Sequence, residues 1–423
     1  MTSARPVITG IGLFTPVGRA VDTVWDAVCA GRSGIRQVPA DHRLAPAIDY
    51  AGFAPEINAS EVLPPAEGRL VDRFVLMALA AAADAMADAG LTVGTDVDPD
   101  RVAVVVSSGA GGLDIFEEQS HAYAARGRTA VSPYMLPGFL GNMAAARIAI
   151  RYGAHGFSSA MSTACSAGAH AIAEAFRLIA HGDADMVICG ASEAPLNPTG
   201  SLSFRHARAL ATKWTDPTAA SRPFDVRRNG FVLAEGAGIL VVERASDVDA
   251  RGAAGYADLL GWGVTTDAHR PTTPLPDGTY AAKAMAAALR RADLPPGEVD
   301  YVNAHGTSTK LGDVAEVKAL RTVFGAAPPA LSSTKSVTGH LLGGSGAVEA
   351  AITALAVSRG VLPPTYNLDE IDPECEADHV RKQPRTGRVR NAISNSFAFG
   401  GHNVSLLMGE ASTRRRRSAV TDG

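Results

Sequence analysis

The chain of 423 residues is 46% hydrophobic and carries a formal net charge of −4, with a pI near 6.3. That is enough apolar content to bury a large core, in two domains or one large duplicated one, and the charge balance lacks the basic surface a nucleic-acid ligand requires. Four cysteines (Cys29, Cys165, Cys189, Cys375) stand apart without CxxC or Cys/His spacing, and no apolar run approaches the ~20 residues of a membrane span. The expectation is a cytoplasmic enzyme with reduced thiols, no metal site and no signal peptide in "MTSARPVITGIG".

Along the chain, short β-branched runs alternate with alanine-rich helical ones. "PVITGIG" precedes "VDTVWDAVCAG"; "RVAVVVSSG", "DMVICGASE" and "GILVVERASD" follow; after "DARGAAGY", near 250–257, come "ADLLGWGVTTD", "DYVNAHG" and "NAISNSFAFGG" with "HNVSLLMG". Continuous apolar strands between amphipathic helices predict an α/β sheet covered on both faces. "VITGIGLFTPVG" and "ADLLGWGVTTD" open the two halves alike, with strand, glycine turn and threonine, so a duplication is one reading. The terminal "TRRRRSAVTDG" lacks apolar periodicity and reads as a solvated basic tail, residues 412–423.

Three loops carry chemistry. In "MSTACSAGAHAIAEAFRLIAHGDAD", Ile172, Phe176 and Ile179 form one helical stripe, which puts Cys165 just before the first turn. There the unsatisfied N–H groups and positive end of the helix are expected to lower a thiol pKa, and small neighbours leave room for a substrate; a core filler or a redox thiol remains open on this segment alone. Cys189, inside "MVICG", reads as core. His305, in "NAHGTSTKLGD", ends an apolar run where the active-site loops of open α/β sheets lie. "SSTKSVTGHLLGGSGAVEAAITAL" places Lys335 and His340 in one loop before a helix starting near Ala347; its "GGSG" lacks the Walker lysine of a phosphate cradle. One thiol, two imidazoles and one ammonium make the inventory of an acyl-transfer site, whereas GxSxG, HExxH and GxGxxG are all absent.

The blocks "TACSAGAHAI", "NAHGTSTKLGD", "KSVTGHLLGGSGAVEA" and "NSFAFGGHNVSLL" resemble, in order and separation, the signatures of the elongating β-ketoacyl-acyl carrier protein synthases. The likeness covers residues 5 to about 410. It implies an α/β thiolase-like fold, a duplicated five-layer αβαβα arrangement, with an N-terminal half, 1–255, carrying the cysteine and a C-terminal half, 256–411, carrying the histidines. The implied reaction is decarboxylative Claisen condensation. Cys165 holds the acyl chain as a thioester, and His305 and His340 act on malonyl-carrier protein through neutral N–H groups. The Cys165 and Phe399 N–H groups form an oxyanion hole, with Phe399, Gly400 and Gly401 as a gate. Lys335 pairs with Glu349, and Asp313 with Glu316 supports the histidine region. No cofactor is implied, because substrates arrive on the phosphopantetheine arm of acyl carrier protein; Arg69 and Arg73 are candidate docking cations for that acidic partner. Pro133–Met143 is a candidate wall of the acyl tunnel.

Lys310, where fatty acid enzymes usually have proline, and Asn229, where they usually have aspartate, look more like type II polyketide ketosynthases. "VDRFVLMALAAAADA" and "GGHN" look more like the fatty acid branch. The expectation is a catalytic polyketide ketosynthase subunit, with 3-oxoacyl-carrier protein synthase II as the alternative, in a homodimer or in a heterodimer with a cysteine-lacking chain-length factor. A degradative thiolase would use a second cysteine as base, and Cys375 in "DPECEADH" stands in no matching motif; a non-catalytic scaffold would not need the Cys165, His305 and His340 set.

Overall fold

Runs such as Val102–Ser107 and Met186–Glu193 are apolar on both faces, so each must be covered from two sides, and each is buried throughout. In the computed structural model, which describes residues 5–65, 67–68 and 70–413, they belong to a sheet of ten strands. These are β1 (Pro6–Phe14), β2 (Val102–Ser107), β3 (Ser158–Ser159), β4 (Met186–Glu193), β5 (Gly236–Arg244), β6 (Ala257–Thr266), β7 (Tyr301–Asn303), β8 (Ala330–Ser332), β9 (Asn391–Phe397) and β10 (His402–Glu410). The spatial order is β8-β7-β9-β10-β6-β1-β5-β4-β2-β3.

That order contains a repeat. Read outward from the middle, the first half runs β1-β5-β4-β2-β3 and the second β6-β10-β9-β7-β8, so each half winds its first, fifth, fourth, second and third strands identically. The halves meet where β1 pairs antiparallel with β6 at Val7↔Asp258 and Ile8↔Ala257.

Five helices complete the layers: α1 (Arg73–Ala89), α2 (Ala167–His181), α3 (Thr279–Ala292), α4 (Lys310–Phe324) and α5 (Ser345–Arg359). The α1 helix lies on β1 and β5, and α3 lies on β6 and β10, while α2 and α5 touch each other and strands of both halves. The result is the five-layer αβαβα arrangement. A middle-layer helix has no solvent side, and α5 is accordingly buried from Ser345 to Val357.

The repeat extends to single residues. A Cβ on Gly10 or Gly12 of β1 would lie 2.2 or 1.8 Å from the carbonyl oxygens of Ala85 and Ala81 of α1. A Cβ on Gly261 or Gly263 of β6 would lie 2.2 or 1.8 Å from those of Ala288 and Ala284 of α3. Glycine on the strand and alanine on the helix permit this backbone approach in both halves. Two local expectations need correction: Lys335–Thr338 forms a short helix rather than loop, and α5 begins at Ser345, two residues before Ala347.

Candidate active site

Cys165 sits in a single 3-10 turn, Ala164–Ser166, leading directly into α2. Ala164 holds φ +49°, a left-handed conformation that costs a residue with a Cβ about 1 kcal/mol. The turn is closed by the Ser166 hydroxyl donating to the Thr163 carbonyl at 2.8 Å. The side chain of Cys165 is 9% exposed, and its sulfur accepts the N–H of Phe399. Burial pushes this thiol up to about 12, against the downward pull of the Lys335 ammonium and of the Phe399 and Cys165 N–H groups. The expected depression at the helix start is thus outweighed: desolvating a thiolate costs more here than nearby donors return, so the resting group is a neutral thiol.

The histidines come from the other half. His305 follows β7, and His340 follows the short Lys335–Thr338 helix; their rings stand edge to face with centroids 5.6 Å apart. Both imidazoles are held well below the usual histidine range, first by burial and then by the Lys335 charge, and for His305 also by His340. Both are therefore neutral hydrogen-bond donors at physiological pH. His340 Nδ1 lies 3.0 Å from Ser345 Oγ, which already accepts the Leu341 N–H at 2.8 Å. The Ser345 hydroxyl can donate to Nδ1, and in that tautomer the ring proton sits on Nε2. The His340 and Phe231 rings stand perpendicular with centroids 5.0 Å apart, which restrains the plane of the imidazole.

Four buried charged residues hold this arrangement. Lys335 Nζ donates to the His305 carbonyl at 2.6 Å and to Glu349 Oε1. Removing one member of such a buried pair costs about 3–5 kcal/mol, because the other charge is left without a partner. Glu316 accepts the His305 and Gly306 N–H groups at 2.9 and 2.8 Å, so its carboxylate shapes the histidine loop. Asp313 accepts the Phe224 and Ser308 N–H groups at 2.8 and 3.2 Å and faces Arg228 at 3.4 Å. Burial raises Glu349 and Glu316 to about 7 and Asp313 to about 6.

Cys165, His305, His340 and Phe399 open onto one cavity of ≈480 Å³. Gly400 and Gly401, at φ +84° and +75°, bend the Phe399 loop, and the loop is tied to its neighbour. The Gly400 N–H reaches the Pro271 carbonyl at 2.7 Å, and the Asp267 N–H reaches the Gly401 carbonyl at 2.8 Å. Asn403 Nδ2 donates to Asp267 Oδ1 at 2.7 Å.

Other expectations land elsewhere. Pro133–Met143 does not line the cavity; its helical turn Met135–Phe139 turns Phe139 toward Phe116, with centroids 5.3 Å apart. Arg69 lies outside the described residues, as does the arginine run from 414 on. Arg73 is not free for docking, because its guanidinium is paired with Glu235 at 2.9 Å and bonded to the Pro55 carbonyl at 2.8 Å. Cys189 and Cys375 are core residues. Sequence reading missed Glu193, a fully buried carboxylate that accepts the N–H groups of Gly109 at 2.6 Å and Gly343 at 3.0 Å and adds its charge to the field at Cys165. Its signal was a lone acid closing the apolar run "MVICGASE". Among the described residues no group of three or more His, Cys, Asp or Glu is placed to hold a metal.

Residues 4–248 match the family model "Beta-ketoacyl synthase, N-terminal domain" and residues 256–369 its C-terminal counterpart. A 3-oxoacyl-[acyl-carrier-protein] synthase 2 from Synechocystis is 42% identical over 404 residues, covering 95% of this chain and 97% of that one. Two solved structures superpose on the whole fold. One is a type II polyketide ketosynthase in complex with its acyl carrier protein and bound to a hexaketide (TM-score 0.89, 31% identity, 96% of this chain and 99% of the other). The other is the ishigamide ketosynthase/chain length factor (TM-score 0.88, 31% identity, 96% and 99%).

Proposed function

The chain belongs to the β-ketoacyl synthase family, and on that premise we propose that it joins a cysteine-bound acyl chain to malonyl-carrier protein by decarboxylative Claisen condensation, with His305 and His340 as the donors that steady the enolate. One observation carries this reading: a thiol, two neutral imidazoles and the Phe399 N–H converge on a single cavity.

In the first half-reaction, Cys165 Sγ attacks the thioester carbon of the incoming chain. The carbon–sulfur bond to the carrier arm breaks, and the cysteine proton leaves with the departing thiol. The N–H groups of Cys165 and Phe399 receive the oxyanion of the tetrahedral intermediate. In the second, the malonyl thioester loses carbon dioxide, and the electron pair of the broken bond becomes an enolate whose oxygen is met by the imidazole N–H groups. Its carbon attacks the Cys165 thioester and expels the cysteine thiolate. Decarboxylation makes the carbanion without a strong base, so imidazoles kept neutral by burial suffice.

The substrates are carried on acyl carrier protein, and the proposed site for the protein is the cytoplasm; no helix among the described residues is long and apolar enough to cross a membrane. A second subunit is favoured by large apolar side chains left exposed in the segment 116–157 that leads into edge strand β3: Phe116, Leu136, Ile150 and Phe157 are 47%, 59%, 75% and 45% exposed. Asn229 and Lys310 on the cavity wall support a catalytic polyketide ketosynthase paired with a chain-length factor. The 42% identity to a 3-oxoacyl-carrier protein synthase 2 supports the second reading, fatty acid elongation by a homodimer. Full elongation activity from a stable homodimer of this chain alone would remove the heterodimer. For the reaction itself, mass spectrometry of the protein mixed with an acyl-carrier protein should find the acyl mass on Cys165, followed by a chain two carbons longer once malonyl-carrier protein is added. Failure of Cys165 to take any acyl thioester would overturn the proposal.

A further inference from the structure

One wall of the cavity mouth is a segment of irregular backbone that follows the helix Pro198–His206. Residues 207–209 line the cavity, and both Arg208 (φ +56°) and Lys213 (φ +66°) occupy left-handed backbone without being glycine. Its inner side is fixed by backbone: the Ala211 N–H donates to the Phe231 carbonyl at 2.8 Å, and the Phe231 N–H to the Ala209 carbonyl at 3.0 Å. On its outer side one exposed side chain bridges two of its residues. Asn229 Nδ2 donates to the Thr212 carbonyl at 2.8 Å, and Asn229 Oδ1 accepts the indole N–H of Trp214 at 3.1 Å. The two ends of the amide cannot be exchanged, because a carbonyl only accepts and an indole N–H only donates. Trp214 is pinned in turn by the buried Arg222, whose guanidinium carbon lies 4.6 Å from the centre of the ring.

We propose that Asn229 is a positioning residue: a two-ended latch that holds the rim segment 207–214 in the shape that admits the thioester-bearing arm, setting affinity for the carrier-borne substrate without entering the chemistry. The reason for asparagine is electronic. A carboxylate of the same shape accepts from Trp214 but has no proton for Thr212, so two acceptors would face each other. In its kinetic arm the inference rests on the ketosynthase reading above; in its structural arm it does not.

The test compares the full-length protein with N229D and N229A. At pH 8, N229D is expected to raise KM for the acyl-carrier thioester about fivefold, the loss of roughly one hydrogen bond, with kcat within about twofold. Backbone hydrogen exchange across 207–214 should quicken by a similar factor. At pH 4, close to the ordinary aspartate value of about 3.9, roughly half of the aspartic acid carries a proton that it can donate to Thr212. KM and exchange of N229D, each referred to wild type at the same pH, should then return toward one, while N229A keeps its penalty at both pH values. Unchanged exchange and KM in N229D at pH 8, or an N229D penalty equal at both pH values, would overturn the latch. If the wild-type protein turns over no acyl thioester, the ketosynthase reading fails, and the exchange data alone decide the latch.

Discussion

In the N-terminal half the chain enters α2 through Ala164–Ser166, with Ala164 at φ +49°; in the C-terminal half it enters α5 through Leu342–Gly344, with Leu342 at φ +44°. The two turns touch each other in the middle layer. Counting from the strained residue, Cys165 in one corresponds to Gly343 in the other. Around Cys165 there is a cavity and the N–H of Phe399; around Gly343 there is Glu193, where an added Cβ would lie 2.5 Å from Oε2 and 2.7 Å from the Gly109 nitrogen. Duplication therefore supplied the same helix entrance twice, and what surrounds each copy decided whether it could present a side chain. On the proposed reading one presents the nucleophile, while the other braces the acid beside it through the Gly343 N–H.

The strongest way to break this comparison is to take the sulfur from the first turn. Cys165→Ala should lower condensation by at least about 10⁴-fold while some decarboxylation of malonyl-carrier protein persists, read as product and as released carbon dioxide. Retained condensation would remove the cysteine from its role, and near-normal condensation in both His305→Ala and His340→Ala would remove the imidazoles. Next, Gly343→Ala should cost about 1–3 kcal/mol in denaturant unfolding and slow acylation of Cys165, because the methyl group has nowhere to go. If it is silent, the second turn is not a brace.

A pH series sharpens the first turn. With the Cys165 thiol raised to about 12 by burial, its thiolate fraction grows with every unit of pH across the accessible range. Iodoacetamide labelling of that residue should therefore climb through pH 9 without a plateau. A plateau near pH 8 would mean that the helix start outweighs burial after all. The smallest effect on activity is expected from Arg73→Ala. Because Arg73 is committed to Glu235, KM for the carrier protein should stay within about twofold, while stability falls by about 2 kcal/mol.

Much of this site is legible in the sequence. His305 ends an apolar run, where an open α/β sheet presents chemistry, and Cys165 and His340 each lie just ahead of a helical pattern. The paired "TGIG" and "LGWG" runs hinted at the repeat. What escaped depended on distance through space. The thiol's pKa is set by how deeply the cavity buries it, Arg73 finds its partner 162 residues away, and the cavity is lined by Phe204, Ala207–Ala209 and Arg270–Leu275 rather than by Pro133–Met143. The start of α5 was misjudged because glycines at 343 and 344 conceal a turn that continues without a break into the helix.

The shared middle layer also bears on whether the gene could ever be split. Cutting the polypeptide in the exposed turn at Arg251–Gly252 severs no strand, yet each fragment would own only one of the two central helices and so leave bare the greasy inner side of its own sheet. Neither piece could persist as a soluble monomer. They would have to be made together and find each other, and the marriage of the two halves in a single chain removes that search.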